Sequence, residues 1–341
     1  MTPNHAQPIR VLHCPTDVGG NPQQLAQAER ELGLASWSIV FQQSYVRYAA
    51  DEVLSQPDDS RWHMEIKRWG VLWRAIRDYD IIHFNAGATI APTYSAGVQA
   101  KLAQASPMVR LLYANYARLF YLRDVPLLKR LGKGIVVTYQ GDDARQGDYS
   151  RKHFAITHAN EVAPGHYTDE DDERRRRAIR LMARHADAIF ALNPDLLHVL
   201  PEQAQFMPYA SVDVRQWTPV PFNSDTNRPL VIVHAPTQRA VKGTQYVIEA
   251  VERLQAEGQP IEFVLVEKMS REEARRHYER ADLLIDQLLA GWYGGLAVEL
   301  MALGKPVICY IREEDLRFIP AEMRAEMPII NATPATLYEV L

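Results

Sequence analysis

Cysteine is scarce: the 341-residue chain has two, Cys14 and Cys309. They lie far apart, each in or beside an apolar strand-like run, IRVLHCP and PVICYI, so both are read as buried free thiols and no disulfide framework is available. Long apolar runs are missing as well. No stretch approaches the ~20 residues needed to span a bilayer, and the opening MTPNHAQPIR lacks the apolar segment of a signal peptide, which together predict a cytoplasmic protein. Neither sign of charge dominates, with 38 Lys and Arg against 42 Asp and Glu, a formal net charge of -4. A nucleic-acid partner for the chain as a whole requires a concentrated basic surface, so none is expected. Repeats at solenoid periods and low-complexity tracts are absent too.

What the sequence does contain is an alternation of short β-like apolar runs with longer helical patterns from end to end, the pattern of parallel sheets wound with helices. In the first half, strands are expected at 9–13, 38–41, 80–85, 134–139 and 188–192, with helices at 22–32, 61–78, 108–131 and 172–185. A second series has strands at 230–235, 261–266, 283–287 and 306–310, with helices at 244–257, 271–280 and 296–303. Residues 207–229 are rich in proline, polar residues and turn formers. The reading is therefore an N-terminal Rossmann-like domain over 1–206, a linker over 207–229, and a C-terminal Rossmann-like domain over 230–341 that is incomplete at its C-terminus, ending in ATPATLYEVL.

Two segments carry unusual charge. TDEDDERRRRAIRLMARH places acids at a helix start and cations further along, which suits the helix dipole and surface pairs such as Asp171 with Arg175. Its arginines also suit an anionic acceptor or a membrane surface. PMVRLLYANYARLFYLRDVPLLKRLGK interleaves aromatics, aliphatics and six cations on a helical period. Core packing with a basic outer face is one reading and peripheral docking on a membrane is the other.

The parts of an anion-binding site recur beside strand ends. HAPTQRAVKGTQYVIEAVERL puts Arg239 and Lys242 after a strand and before a helix, where cations and helix-end amides can hold a diphosphate together. DQLLAGWYGGLAVELMALGKPVICY sets Gly294, Gly295 and Leu296 at a helix start, and Glu299 on that helix among apolar neighbours, where a carboxylate needs a hydrogen-bond partner such as a ribose diol. VLHCPTDVGGNPQQLAQAERELG gives a strand, a Gly19-Gly20 loop and a helix, although not the G-x-G-x-x-G fingerprint, so an NAD role is unsupported. His83, in YDIIHFNAG, and Asp142 with Asp143, in GIVVTYQGDD, are read at the C-terminal ends of strands, where ligands gather in open parallel sheets. Asn193 is a further cleft or acceptor-side candidate. The GDD and DEDDE clusters are read as a loop and a helix start, so no metal or other cofactor is expected.

Together these motifs resemble the retaining glycosyltransferases of family 4 and their glycosyl transferases group 1 domain. RAVKGTQYVIEAVERL resembles the family's R-x-x-K-G helix start, AVELMALGKPVI its L-E-A-M-A-x-G-x-P-V pattern, and SVDVRQWTP its V-D-x-x-x-F-x-P stretch. The resemblance implies a GT-B fold, two Rossmann-like domains with parallel sheets facing across a cleft. It further implies transfer of a sugar from a nucleotide-diphosphate donor to a hydroxyl acceptor with retention and without a metal; a nucleotide-sugar 2-epimerase of the same fold and a silent sugar-nucleotide-binding protein are the alternatives. By position, Arg239 and Lys242 would neutralise the diphosphate and Glu299 would accept from the ribose. Amides near Gly294 to Leu296 would face the distal phosphate or sugar, Gly19 and Gly20 would close from the other lobe, and His83 would contact the transferred sugar. The chain departs from the family's E-x7-E pair, because Gly291 stands where the first acid belongs. It also lacks a β-α unit before SREEARRHYERAD. Acceptor preference is assigned to loops at 45–59 and 149–169.

Overall fold

The computed structural model describes residues 7–44, 48–56, 58–93, 98–99, 102–221, 225 and 227–341. Within the loop at 45–59, residues 45–47 and 57 lie outside the described residues, as do 222–224 and 226 of the expected linker. The chain divides into two compact units. One comprises residues 1–144 with 176–191 and 201–204; the other comprises 145–175, 192–200 and 205–341. Two stretches that precede residue 206 in sequence thus belong with the C-terminal unit.

Each sheet is α/β and parallel, as the alternation of elements predicts. The first has strands β1 (Arg10–Cys14), β2 (Ala35–Val40), β3 (Glu52–Val53), β4 (Ile81–Asn85), β5 (Gly134–Tyr139), β6 (Ala188–Ala191) and β7 (Gln205–Phe206) in the order β3-β2-β1-β4-β5-β6-β7. The second has β8 (Leu230–His234), β9 (Ile261–Leu265), β10 (Leu283–Ile285), β11 (Val307–Cys309) and β12 (Ile329–Asn331) in the order β12-β11-β10-β8-β9. One helix, Arg271–Arg280, joins β9 to β10, in line with the shortened connection read from the sequence.

The helix boundaries follow local chemistry. Ser60 and Ser106 cap helices Arg61–Asp78 and Pro107–Phe120, each side chain accepting from the backbone N–H three residues on, and Ser270 forms a full capping box with Glu273 ahead of Arg271–Arg280. The acidic run occupies the first turn of helix Asp169–His185, and its ion pairs include Asp171 with Arg174 and Asp172 with Arg175, three residues apart. The single helix read over 108–131 is two, Pro107–Phe120 and Asp124–Arg130. Pro126 is the reason: its ring would clash with the carbonyl of Leu122 in a continuous helix, whereas in the first turn of a new one its missing N–H costs nothing. Leu122 absorbs the break with φ 57 and is buried.

Strand β2 starts earlier than its pattern suggests because polar residues point inward. Ser36 and Ser38 are buried while Trp37 is exposed, and the two hydroxyls donate to Glu29 (2.7 Å) and Asp51 (2.7 Å). Both cysteines are free and buried, and burial raises both thiols well above their ordinary range. No helix among the described residues is long and apolar enough to cross a membrane.

Candidate functional site

The five-stranded sheet sets up a crevice by its connectivity. From β8 the chain moves to β9 on one side, and from β10 it moves to β11 on the other. The helices that follow β8 and β10 consequently pack on opposite faces. Val247, Ala250 and Val251 of helix Thr244–Ala256 join Ile232 and Ile285 in one apolar cluster, while Ala297 and Leu300 of helix Gly295–Ala302 join Val233 and Leu284 in another. Loops that part in this way at adjacent strand ends leave room for a ligand beyond the carboxyl edge.

The sequence-read cations arrive at that edge, and neither stands alone. Lys242 ends the short helix Arg239–Lys242 after β8, and its ammonium donates to Asp286 Oδ1 at 2.8 Å, with a side chain 13% exposed against 1% for the acid. Asp286 directly follows β10 and accepts the Gly294 amide on its other oxygen at 2.6 Å. One buried carboxylate therefore joins the loop after β8 to the start of helix Gly295–Ala302. Arg239 is exposed and forks onto Glu267, just past β9, at 2.9 and 2.6 Å, which raises the guanidinium above its ordinary value and lowers the acid. Beneath them His234, the last residue of β8, is fully buried. Its Nδ1 lies 2.7 Å from the Ile285 carbonyl and its Nε2 2.9 Å from Thr244 Oγ1. Burial lowers its pKa to about 4, so the ring is neutral at pH 7 and pins the strand end to the following helix.

The helix start supplies neutral donors. The amides of Gly295 and Leu296 occupy its first two positions and donate to no group among the described residues. Glu299 lies one turn on, over the same face as Gly295. It is 14% exposed, its nearest cation is Arg271 at 3.6 Å, and burial lifts its pKa to about 7. Lys242, Gly294, Gly295, Leu296 and Glu299 are thus assembled on adjoining loops and a helix at one sheet edge, with Arg239 at the other end of the short helix that carries Lys242 and turned toward Glu267 past β9. Asp286, Glu267 and His234 are the residues that sequence reasoning missed. An acid placed directly after an apolar strand, as in LLIDQ, was the available signal for Asp286.

Gly291, where the related pattern has an acid, has a structural reason. Its φ is +79°, and a Cβ there would lie 2.6 Å from Nη1 of Arg312. That guanidinium is buried. It donates to Asp315 (2.8 Å) and to the Ile156 carbonyl (3.0 Å), and lies over the Phe154 ring at 3.7 Å. Gly291→Ala is expected to destabilise the protein by about 2 kcal/mol or more, from left-handed backbone strain and displacement of the arginine. An unchanged denaturant midpoint would show that Arg312 yields without cost.

In the N-terminal unit, the Gly19-Gly20 loop follows β1 with φ 63° and 71°, and a Cβ on Gly20 would lie 2.5 Å from the Tyr48 ring. Asp143 caps the loop after β5, accepting the amides of Gln140 and Gly141, with Asp142 beside it. Asn193, in the other unit, accepts from the Tyr209 hydroxyl at 3.0 Å. His83 needs correction: it occupies the middle of β4 rather than its end. It is buried, its Nε2 lies 2.7 Å from Thr138 Oγ1 on β5, and burial lowers its pKa well below the ordinary value. Its ring lies 4.8 Å from that of His13, whose Nε2 meets Glu29 at 2.8 Å. These three are the one group of metal-ligating residue types that the described residues gather, with candidate ligand atoms within 4.8 Å of one another.

No family model matches the chain. No curated protein matches it either. Among solved structures it is similar to a sucrose-phosphate synthase from Thermosynechococcus elongatus, at 14% identity over 96% of this chain and 86% of that one, with a TM-score of 0.46. It is also similar to a putative UDP-N-acetylglucosamine 2-epimerase from Listeria monocytogenes, at 12% identity over 98% and 87%, TM-score 0.48. An alpha-glucosyltransferase in complex with UDP and a mismatched DNA is similar at 11% identity over 98% and 88%, TM-score 0.48.

Proposed function

We propose that the C-terminal unit holds the nucleoside diphosphate of a sugar nucleotide, and that the protein is a GT-B glycosyltransferase passing the sugar to a hydroxyl acceptor. The observation that carries this reading is the Lys242–Asp286–Gly294 linkage, which sets an ammonium beside two unused helix-start amides and a half-buried acid one turn away. A pyrophosphate beside Lys242 would share the three-donor ammonium with Asp286, accept from the Gly295 and Leu296 amides, and bring the ribose hydroxyls toward Glu299. Arg239 sits on an exposed side chain and can exchange Glu267 for a phosphate oxygen. The motif resemblance implies the same donor-side role for Arg239, Lys242, Glu299 and the amides near Gly294 to Leu296.

In the transfer step the bond from the anomeric carbon to the donor phosphate oxygen breaks, and one to the acceptor oxygen forms. The acceptor proton leaves to the released diphosphate. Negative charge grows on that diphosphate, so Lys242, Arg239 and the amides act where charge develops. Retention of configuration is the stereochemical outcome that the resemblance favours.

A thermal-shift series with UDP, GDP and ADP, and with the UDP- and GDP-sugars, tests the reading. Ligands that bind only the folded protein raise its melting temperature, and at least one of these diphosphates is expected to do so. Arg239→Ala is expected to leave the unliganded melting temperature unchanged, because the Glu267 pair is solvated, while shrinking the nucleotide-induced shift. A series without any shift removes the proposal. Incubation with donor alone separates transfer from rearrangement: a released epimer would make the protein an epimerase.

A further inference from the structure

Helices Arg61–Asp78 and Pro107–Phe120 of the N-terminal unit lie side by side, joined by a hydrogen bond from Trp69 Nε1 to Tyr116 Oη (2.8 Å) and an edge contact between Trp69 and Phe120 at 5.0 Å. The inward face of the second helix is Tyr113, Tyr116, Ala117 and Phe120, spaced three and four apart. Both tyrosine hydroxyls are spent on the buried Glu65, at 3.1 and 2.8 Å. A surface helix with one such face should be polar on the other.

This pair is not. Met108, Leu112 and Leu119 form a second apolar stripe that points outward, each more than half exposed, at 72%, 56% and 64%. Beside it, Trp62, Ile66 and Trp73 recur four and seven residues apart on the outer face of the first helix, exposed by 64%, 70% and 62%. Large aromatics and leucines gathered on adjoining helices exceed the scattered apolar residues that any surface carries.

The charge around the stripe identifies what covers it. Arg110 and Arg118 lie on the second helix and Arg123 just beyond it, and all three are exposed and form no ion pair with a described residue. No aspartate or glutamate occurs from Ile81 to Arg123. Four acids nearby are already engaged: Glu65 with Arg68, Asp59 with Lys67 and His63, Glu52 with Arg74, and Asp78 with Arg77. A second copy of the chain would bring like-charged arginines together, whereas an anionic lipid surface offers acyl chains for the leucines, an interface for the tryptophans and phosphates for the guanidinium groups. We propose that these two helices form a docking face for an anionic membrane surface. The proposal is independent of the nucleotide reading, whose residues lie in the other unit.

The test is co-sedimentation of the full chain with phosphatidylcholine vesicles, with and without phosphatidylglycerol, at low and high salt. Binding is expected with phosphatidylglycerol and to weaken with salt, accompanied by a blue shift of tryptophan emission. Arg110→Gln with Arg118→Gln should lower partitioning by about fivefold per charge. Leu112→Glu with Leu119→Glu, both at exposed positions and checked by circular dichroism, should lower it by about tenfold or more per leucine. Failure of the wild-type chain to sediment with anionic vesicles at low salt overturns the proposal. So does partitioning that neither pair of substitutions changes, or a dimer in light scattering that the leucine substitutions dissolve while vesicle binding is absent.

Discussion

Lys242→Met is expected to lower the unfolding free energy of the protein by about 3 kcal/mol, while Asp286→Asn costs markedly less. The asymmetry follows from burial. Asp286 is 1% exposed at its side chain, and without the ammonium it becomes an uncompensated charge that keeps one backbone donor, Gly294 N–H. Lys242 retains some exposure, so an ammonium deprived of its acid can turn toward water. The double variant should recover much of the loss, because an asparagine oxygen still accepts from Gly294 and no charge is stranded. Denaturant unfolding of the four proteins measures this cycle, and equal costs for the two single variants would contradict a buried-acid origin. Under the proposed function the two lysine variants also lose nucleotide affinity, whatever their stability, whereas Asp286→Asn keeps the ammonium and therefore keeps binding.

Glu299→Gln is expected to make the protein more stable than wild type at pH 8, by at most about 3 kcal/mol. The carboxyl titrates at about 7 in the fold, against an ordinary value of 4.5. Between those values the folded protein holds a proton that the unfolded chain has released. Its contribution is fully present below pH 4.5, falls as pH rises through 7, and is gone above. Glutamine carries no such penalty, so the difference between variant and wild type should open across this window and then level off. Asp124, raised to about 6 by burial, and His234, lowered to about 4, titrate in both proteins and cancel in the difference. A nucleotide whose ribose hydroxyls donate to Glu299 needs the ionised form. Wild-type affinity for a sugar nucleotide, whose diester phosphates do not titrate in this range, should therefore rise through pH 7, and that of the variant should stay flat and weaker. Melting curves and nucleotide titrations over pH 4 to 9 measure both. A constant stability difference would mean that Glu299 is not held in a desolvated place, and parallel affinity curves would remove it from the ribose.

Such an acid, unfavourable to the resting fold, is what a binding site accepts and a purely structural position rejects. The same reasoning separates the two expected cations. Arg239 lies in a solvated pair and is free to exchange partners, whereas Lys242 is already part of the architecture that positions the helix start.

The amino-acid sequence by itself determined the alternation of strands and helices in both sheets and the positions of Lys242, Gly294, Gly295 and Glu299 beside strand and helix ends. These are local properties: apolar periodicity, capping serines and turn residues act over a few positions. Even the break between Phe120 and Asp124 was written locally, in Pro126, and a periodic reading passed over it. Tertiary structure decided the rest. Asp286 reaches Lys242 from 44 positions away because β10 pairs with β8, and Arg312 fills the space at Gly291 because the chain returns along β11. His83 is a core residue because β1 and β4 set His13 opposite it in register. Which carboxylate neutralises which cation, and which face of a helix remains uncovered, depend on strand order and packing, which no local pattern contains.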